Sequence, residues 1–261
     1  MEKKLKNVKS ILSDIDGTLY FKGAPIPGAI ETVAKLKEAG IKLLFFTNTD
    51  SKTPEVIHKM LLEYGFYISE DEIYSPIIAL KKFLSKHEGK SIFLVSTKDI
   101  EREFSKFNII QGDQIPDYVI IADFRDNWDV NRLNQAFKFI LKGAQLLGTQ
   151  GNKYFLDNQG EAVIDTGSFI RMLADAANVP SKIFGKPSKE FFFQALNKLN
   201  LKPSECIVIG DDYESDIQGS INAGIKAVLV TTGKGADFKL LKKQKKNFLI
   251  IDSFKSILDY L

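Results

Sequence analysis

Short apolar runs alternate with amphipathic stretches along the whole chain. Val8–Ser13 and Ile41–Phe46 are apolar enough for buried strands. Between them, Pro27–Ala39 carries a helical period, with Pro27 near its start and Gly40 just past its end, the usual punctuation of a helix. Pro54–Tyr64 repeats the pattern and is closed by Gly65. The rhythm returns late in the chain. Lys189–Leu199 reads as a helix, Cys206–Ile209 as a strand, Asp216–Ala223 as a helix and Ala227–Val230 as a strand. Phe248–Ile251 is a last strand before a C-terminal helix. Strands alternating with helices predict an α/β fold with a parallel, doubly wound, Rossmann-like sheet.

The middle of the chain keeps the same beat on its own account. Ser91–Val95 and Tyr118–Ala122 read as strands, and Lys98–Phe107 and Val130–Leu141 as helices. Leu146–Thr149 and Tyr154–Asp157 are weaker strand patterns, and Ser168–Ala177 is an amphipathic helix. One sheet could hold the whole chain; the expected alternative is an inserted α/β unit at 80–182 with its own small core, between core segments 1–79 and 183–261.

Composition narrows the class. Hydrophobic residues make up 44% and charged residues 26%, ordinary globular values that exclude a disordered chain. No run reaches the roughly 18 apolar residues of a membrane helix, and the charged start leads into only a short apolar stretch. A cytoplasmic protein without a membrane partner is expected. Lys and Arg total 36 against 33 Asp and Glu, a net +3. That bias is too weak to imply nucleic acid. The basic run Lys242-Lys243-Gln244-Lys245-Lys246 reads as a solvated helix end. Cys206 is the one cysteine, so a disulfide or thiolate metal cage is excluded, and it reads as a small apolar strand residue. Phe191-Phe192-Phe193 reads as helix packing. Lys186 is followed by Pro187 and Lys234 by Gly235, which excludes a Walker-type phosphate loop.

Candidate chemistry collects where strands end. Asp14-Ile15-Asp16-Gly17-Thr18 follows the first strand, and ligand sites of open α/β sheets lie at the carboxyl ends of strands. Two acids so placed can divide labour as nucleophile and proton carrier, or hold a hard cation. Thr47-Asn48-Thr49 follows the second strand with hydroxyl and amide groups. Gly185-Lys186-Pro187 precedes a helix and supplies a cation. Gly210-Asp211-Asp212, with Asp216 beyond it, follows the strand Cys206–Ile209. Each fragment alone has a plain reading as a turn, a solvated charge or a helix cap. Together they set carboxylates, hydroxyls and a lysine on one sheet edge.

The order Asp-x-Asp-Gly-Thr, Thr-Asn, Gly-Lys-Pro, Gly-Asp-Asp-x-x-x-Asp resembles the haloacid dehalogenase superfamily of phosphohydrolases. Within it the chain is similar to the branch with a large cap after the second motif, which includes 4-nitrophenylphosphatase-like enzymes, pyridoxal phosphate phosphatase and phospholysine phosphohistidine inorganic pyrophosphate phosphatase. Gly210-Asp211-Asp212 and Thr231-Thr232-Gly233-Lys234 look most like the last of these. Thr49 departs from the second Asn common in the branch.

The resemblance implies a Mg²⁺-dependent phosphatase of small phosphorylated compounds. Asp14 would attack phosphorus and form an aspartyl-phosphate, and Asp16 would serve as general acid and base. Asp14, Asp211 and the Asp16 backbone carbonyl would hold Mg²⁺. Thr47, Asn48, Thr49 and Lys186 would face the phosphoryl group, with Asp212 and Asp216 behind them. Thr166-Gly167-Ser168 would open a cap helix toward the substrate, and relatives imply a homodimer formed through the cap. A phosphate monoester carries roughly −1.5 to −2 charges at neutral pH. Asp14 and Asp211 add two more, so Mg²⁺ and Lys186 are needed to offset them. Three other readings compete: a receiver-like phosphoacceptor switch, a dehalogenase, and an inactive binding module. The chain is long for a lone receiver, a dehalogenase needs neither Asp16 nor Asp211, and every catalytic group expected of the enzyme is present.

Overall fold

A computed structural model describes residues 5, 7–157, 159–236 and 247–261. The Lys242–Lys246 run lies outside the described residues. Strand β1 (Ser10–Ser13) leads through a small hairpin, β2 (Tyr20–Phe21) and β3 (Ala24–Pro25), into α1 (Ala29–Glu38) and β4 (Lys42–Phe46). α2 (Pro54–Glu63), β5 (Ile73–Tyr74) and α3 (Pro76–Leu84) follow. The middle segment holds β6 (Ser91–Val95), α4 (Lys98–Glu103), β7 (Asn108–Ile109), β8 (Tyr118–Ile121), α5 (Val130–Leu141) and β9 (Gln145–Gly148). It continues with β10 (Tyr154–Leu156), β11 (Ala162–Ile164), α6 (Thr166–Ala177) and β12 (Ser181–Ile183). The chain returns through α7 (Lys189–Leu199), β13 (Cys206–Gly210), α8 (Gly219–Asn222), β14 (Lys226–Val230) and β15 (Leu249–Ile251).

Two parallel sheets result. The first has six strands in the order β15-β14-β13-β1-β4-β5. The second has five in the order β12-β9-β8-β6-β7, and β10 and β11 form a separate antiparallel hairpin. Register explains why the central strands bury apolar residues on both sides. Ile11 aligns with Ile207 and Leu43, and all three point into one core with α1 and α2. Leu12 aligns with Val208 and Leu44, which point into the other core with α3 and α7. With helices on both faces, no strand has a polar side.

The second sheet is buried in the same way, but one of its faces is shared. Phe93, Val95, Val119 and Leu146 pack on α5 and α6 as a core of their own. Ile92, Leu94, Ile120 and Leu147 join the cluster that contains Leu12, Leu44 and Phe46 of the first sheet. α3 and α7 fill that shared layer: Phe191 stacks 4.3 Å from Phe46, and Phe83 lies 5.6 Å from Tyr118. Phe191 and Phe192 are thus packing residues, and Cys206 is a buried strand residue. Residue 80, where the inserted unit is expected to begin, is Leu80 within α3.

Three elements differ from their sequence patterns. The expected helix Asp216–Ala223 begins instead as a π-helical turn, Tyr213–Gln218. Asp212 caps the N–H groups of Glu214 and Ser215, while Asp216 turns back to accept from the Asp212 N–H at 3.1 Å. The C-terminal helix is a 3₁₀ helix, Phe254–Asp259, because its buried residues Phe254 and Ile257 are three apart and match three residues per turn. α4 ends at Glu103, short of the expected Phe107, where tight turns carry Phe104 into the shared core.

Candidate active site

The carboxyl ends of β1, β4 and β13 and the loop before α7 converge on one cavity of about 170 Å³. Adjacent parallel strands bring Asp14 and Asp211 together, and the Asp14 N–H donates to the Ile209 carbonyl at 2.8 Å. Carboxylate oxygens of Asp14, Asp211 and Asp216 lie within 4.8 Å of one another, and all three residues are buried. Lys186, 2% exposed, donates from Nζ to Asp14 Oδ1 and Asp216 Oδ1, each at 2.6 Å.

Burial raises the Asp14 carboxyl above the ordinary carboxylate range, against the opposing pull of Lys186. Asp211 is raised further, by burial and then by Asp14, Asp216 and Asp212. Asp216 is pushed up to about 7 by burial, again against Lys186. Burial works against the Lys186 charge, yet Asp14 and Asp216 together hold it above the usual lysine range. Three crowded acids with one lysine leave excess negative charge on hard oxygen donors, the donor set of Mg²⁺. A divalent cation would reverse the upward shifts. The residues therefore fit the metal.

Glycines make the crowding feasible. A Cβ on Gly17 would stand 2.2 Å from Asp211 Oδ2, and one on Gly233 2.1 Å from the same atom. Both have positive φ, +77° and +51°, so side chains are disfavoured twice over. The two acids of the first motif differ in exposure: Asp14 is buried and Asp16 exposed. Asp16 keeps much of its surface open at the cavity mouth. Its carboxyl, desolvated by the surrounding protein, lies above the usual range against the pull of Lys52 and Lys234.

The other expected residues fall in several places. Thr47 Oγ1 accepts the Thr49 N–H at 3.0 Å and donates to Thr49 Oγ1 at 2.9 Å, and both residues line the cavity. Asn48 is engaged with the backbone of Lys186: Oδ1 accepts its N–H at 2.7 Å, and Nδ2 donates to its carbonyl at 3.0 Å. Nδ2 also donates to Asn152 Oδ1 at 3.0 Å, so this one amide ties β4, the lysine loop and the middle segment together. Asp212 accepts from Lys234 Nζ at 2.6 Å. Burial opposes the Asp212 charge, but Lys234 outweighs it and holds the carboxyl below the usual range.

The turn Thr166-Gly167-Ser168 opens α6, and its neighbour Asp165 both caps the helix, accepting from the Thr166 N–H at 2.8 Å, and lines the cavity. Thr166 is buried, and Ser168 donates to the Lys153 carbonyl at 2.7 Å. Gly167 packs on backbone, since a Cβ there would stand 2.4 Å from the Asn152 carbonyl oxygen. Its small size serves helix packing.

Sequence reading passed over several cavity residues. Asp50 and Lys52 directly follow the Thr47–Thr49 segment, and proximity was their only signal. Arg125, Phe155 and Asp165 come from the middle segment, where no motif marked them. Lys234 ends the Thr231–Lys234 segment. Its N–H donates to Asp211 Oδ2 at 2.7 Å, and its Nζ reaches the Tyr154 carbonyl at 2.7 Å as well as Asp212. It links the acid cluster to the β10–β11 hairpin. Among the described residues, no helix is long and apolar enough to cross a membrane.

Comparison with known proteins places this geometry. Residues 11–110 match the family model of haloacid dehalogenase-like hydrolases, and residues 183–257 match a second, HAD-hydrolase-like model. The chain is 31% identical over 257 residues to haloacid dehalogenase-like hydrolase domain-containing protein 2 of Mus musculus, covering 97% of this chain and 96% of the relative. It is 33% identical over 234 residues to the phospholysine phosphohistidine inorganic pyrophosphate phosphatase of Xenopus laevis, covering 87% and 84%. The solved p-nitrophenyl phosphatase from Archaeoglobus fulgidus superposes with a TM-score of 0.86 at 25% identity over the full length of both chains. The strand-end acids and the buried lysine thus sit in a matching sequence and a matching fold, and the chain belongs to the haloacid dehalogenase-like hydrolase family.

Proposed function

We propose that this protein is a Mg²⁺-dependent phosphatase that hydrolyses small phosphate monoesters through an aspartyl-phosphate on Asp14. The observation that carries the reading is the buried lysine shared by Asp14 and Asp216 at 2.6 Å each, with Asp211 beside them. The phosphatase names of the Xenopus laevis relative and the Archaeoglobus fulgidus structure support it. Mg²⁺ bound by Asp14, Asp211 and the Asp16 carbonyl would supply charge neutralisation for the phosphoryl oxygens.

The chain's own residues account for the remaining steps. Lys186 steadies Asp14 and offsets charge as the dianion enters, so the nucleophile can approach phosphorus. An Asp14 carboxylate oxygen forms a bond to phosphorus while the ester oxygen leaves. Asp16 is accessible at the cavity, and burial raises its carboxyl in the direction a general acid needs; it gives a proton to the leaving oxygen. It then takes a proton from the water that attacks the acyl phosphate, which returns Asp14 as a carboxylate and releases phosphate. Thr47 and Thr49 hydroxyls face the same space. Residues 80–182 act as the specificity cap, contributing Arg125, Phe155 and Asp165 to the wall around the leaving group.

The intermediate is directly testable. Quenching turnover of 4-nitrophenyl phosphate with borohydride should reduce an acyl phosphate at residue 14 to homoserine, read by peptide mass. Homoserine absent from position 14 under rapid turnover would overturn covalent catalysis by that residue.

A further inference from the structure

Asp50 directly follows the Thr47–Thr49 segment and borders the cavity, yet it is only 3% exposed. Its partners belong to the middle segment. Oδ2 stands 2.5 Å from Oγ1 of Thr149, the residue after β9. Thr166, the first residue of α6, makes a second side-chain hydrogen bond to it. Both threonines are buried. One carboxyl thus joins the segment that faces the phosphoryl group to two elements of the other sheet.

The charges at this junction do not balance. Asp123 accepts from Arg125 Nε at 2.9 Å and also from Nη2. Asp165 lies 3.9 Å from Arg125 Nη1 and accepts the Thr166 N–H at 2.8 Å. Among the described residues, no basic side chain forms an ion pair with Asp50. The stretch after β9 is uncharged through Asn152, and on Asp50's own segment Lys52 acts on Asp16. A buried carboxylate with no counter-charge takes up a proton instead. Burial, with Asp165 and then Asp123 adding to it, pushes the Asp50 carboxyl up to about 8.

The hydrogen bonds accommodate that proton. Thr149 Oγ1 has one hydrogen and two neighbouring oxygens, Asp50 Oδ2 and the Ile121 carbonyl at 3.2 Å. When Asp50 is protonated, its O–H donates to Thr149 and the Thr149 hydroxyl donates onward to Ile121. When Asp50 ionises, a third negative charge stands beside Asp165 and Asp123, with only Arg125 to offset it. Resting on the phosphatase reading, we propose that Asp50 is a positioning residue: protonated, it locks the Thr47–Thr49 segment to the middle segment, and its ionisation loosens that junction and weakens substrate binding at alkaline pH. It acts through the Thr47 and Thr49 hydroxyls and touches no reacting atom.

The test has a kinetic arm and an exchange arm. With saturating Mg²⁺, wild-type KM for 4-nitrophenyl phosphate should rise by about tenfold from pH 7 to 9, with kcat changing much less. Asp50→Asn keeps a neutral donor toward Thr149 and has no proton to lose, so it should flatten that rise. Without substrate or metal, hydrogen exchange of peptides covering Thr149 and Thr166, corrected for its intrinsic pH dependence, should quicken over the same range in the wild type but not in Asp50→Asn. Thr149→Val removes the hydroxyl and should quicken exchange already at pH 7; it carries the test if melting curves show that the asparagine variant does not fold. An equal KM rise in wild type and Asp50→Asn overturns the positioning role. Wild-type exchange that does not quicken with pH, or Thr149→Val exchange equal to wild type at pH 7, overturns the junction. Failure to hydrolyse 4-nitrophenyl phosphate at any pH overturns the phosphatase reading itself, and the exchange arm still decides the junction.

Discussion

Two acidic clusters face each other across one cavity, and they resolve the same electrostatic problem differently. At the sheet edge, Asp14, Asp211 and Asp216 crowd within 4.8 Å around a single lysine and fit a divalent cation. Opposite it, Asp50, Asp123 and Asp165 surround a single arginine, and burial pushes Asp50 up to about 8, so a proton removes the excess charge. A buried carboxylate must be paired, coordinated or neutralised. The difference shows which remedy goes with which task. The sheet-edge acids keep their charge beside a lysine and fit a cation, whereas the acids around Arg125 lose charge to a proton.

The sharpest way to break the comparison is Asp14→Asn. The amide is nearly isosteric but a poor nucleophile, so turnover of 4-nitrophenyl phosphate should fall by more than about a hundredfold. Activity above that level places the nucleophile elsewhere and removes the functional contrast between the clusters. A melting curve close to wild type would confirm that the loss is chemical.

Lys186→Met tests how strongly the sheet-edge acids depend on their cation. It leaves Asp14 and Asp216 buried without their shared partner, and breaking a buried ion pair typically costs about 3–5 kcal/mol. Urea unfolding without added metal is the measurement. A loss below about 1 kcal/mol would mean that the acids accept protons instead, as Asp50 does.

Lys234→Ala probes the connection between the two regions. The ammonium holds both Asp212 and the Tyr154 carbonyl, and hydrogen bonds of charged groups contribute about 1.5–3 kcal/mol. A fall in kcat/KM of roughly tenfold is expected, carried mainly by KM, because the hairpin that bears Phe155 loses its tie. Equal kcat/KM in the variant would show that the hairpin is held by packing alone.

The smallest effect concerns Asp50→Asn and has a definite sign. Asp50 titrates near 8 in the folded protein and near 3.8 in an unfolded chain. Between those values the folded state holds a proton that the unfolded state has lost, so wild-type stability falls as pH rises from about 4 to 8. The variant lacks this term. Its stability relative to wild type should therefore increase by about 1–3 kcal/mol between pH 6 and 8, measured by urea unfolding at each pH. A constant difference across that range would show that the acids around Arg125 are not relieved by protonation.

Legibility followed the same division. The sheet-edge acids were readable because each lies directly after an apolar strand, and parallel strands carry their carboxyl ends to one edge. Asp14, Asp211 and Lys186 therefore met as their spacing implied. Asn48 was placed correctly at that edge, but its engagement with the Lys186 backbone depends on a partner 138 residues away. Arg125 and Asp165 carried no signal, since nothing local marks a residue whose role arises only when two sheets pack. α3 was also unread, although Ile77, Leu80 and Leu84 recur at helical spacing and all lie in the shared core.

By itself, the sequence determined the alternation of strands and helices, the two-sided burial of the first sheet and the identity of its strand-end acids. These depend on side-chain periodicity and on chain direction, which are local properties. Only the tertiary structure decided that the middle segment shares a core with α3 and α7, that Lys234 reaches the β10–β11 hairpin, and that Arg125 stands 3.9 Å from Asp165 in the same cavity. Those outcomes depend on how two packed layers are offset from each other. That offset is set by the summed shapes of many buried side chains, such as Phe46 stacked on Phe191 and Phe83 against Tyr118, and no local pattern encodes it.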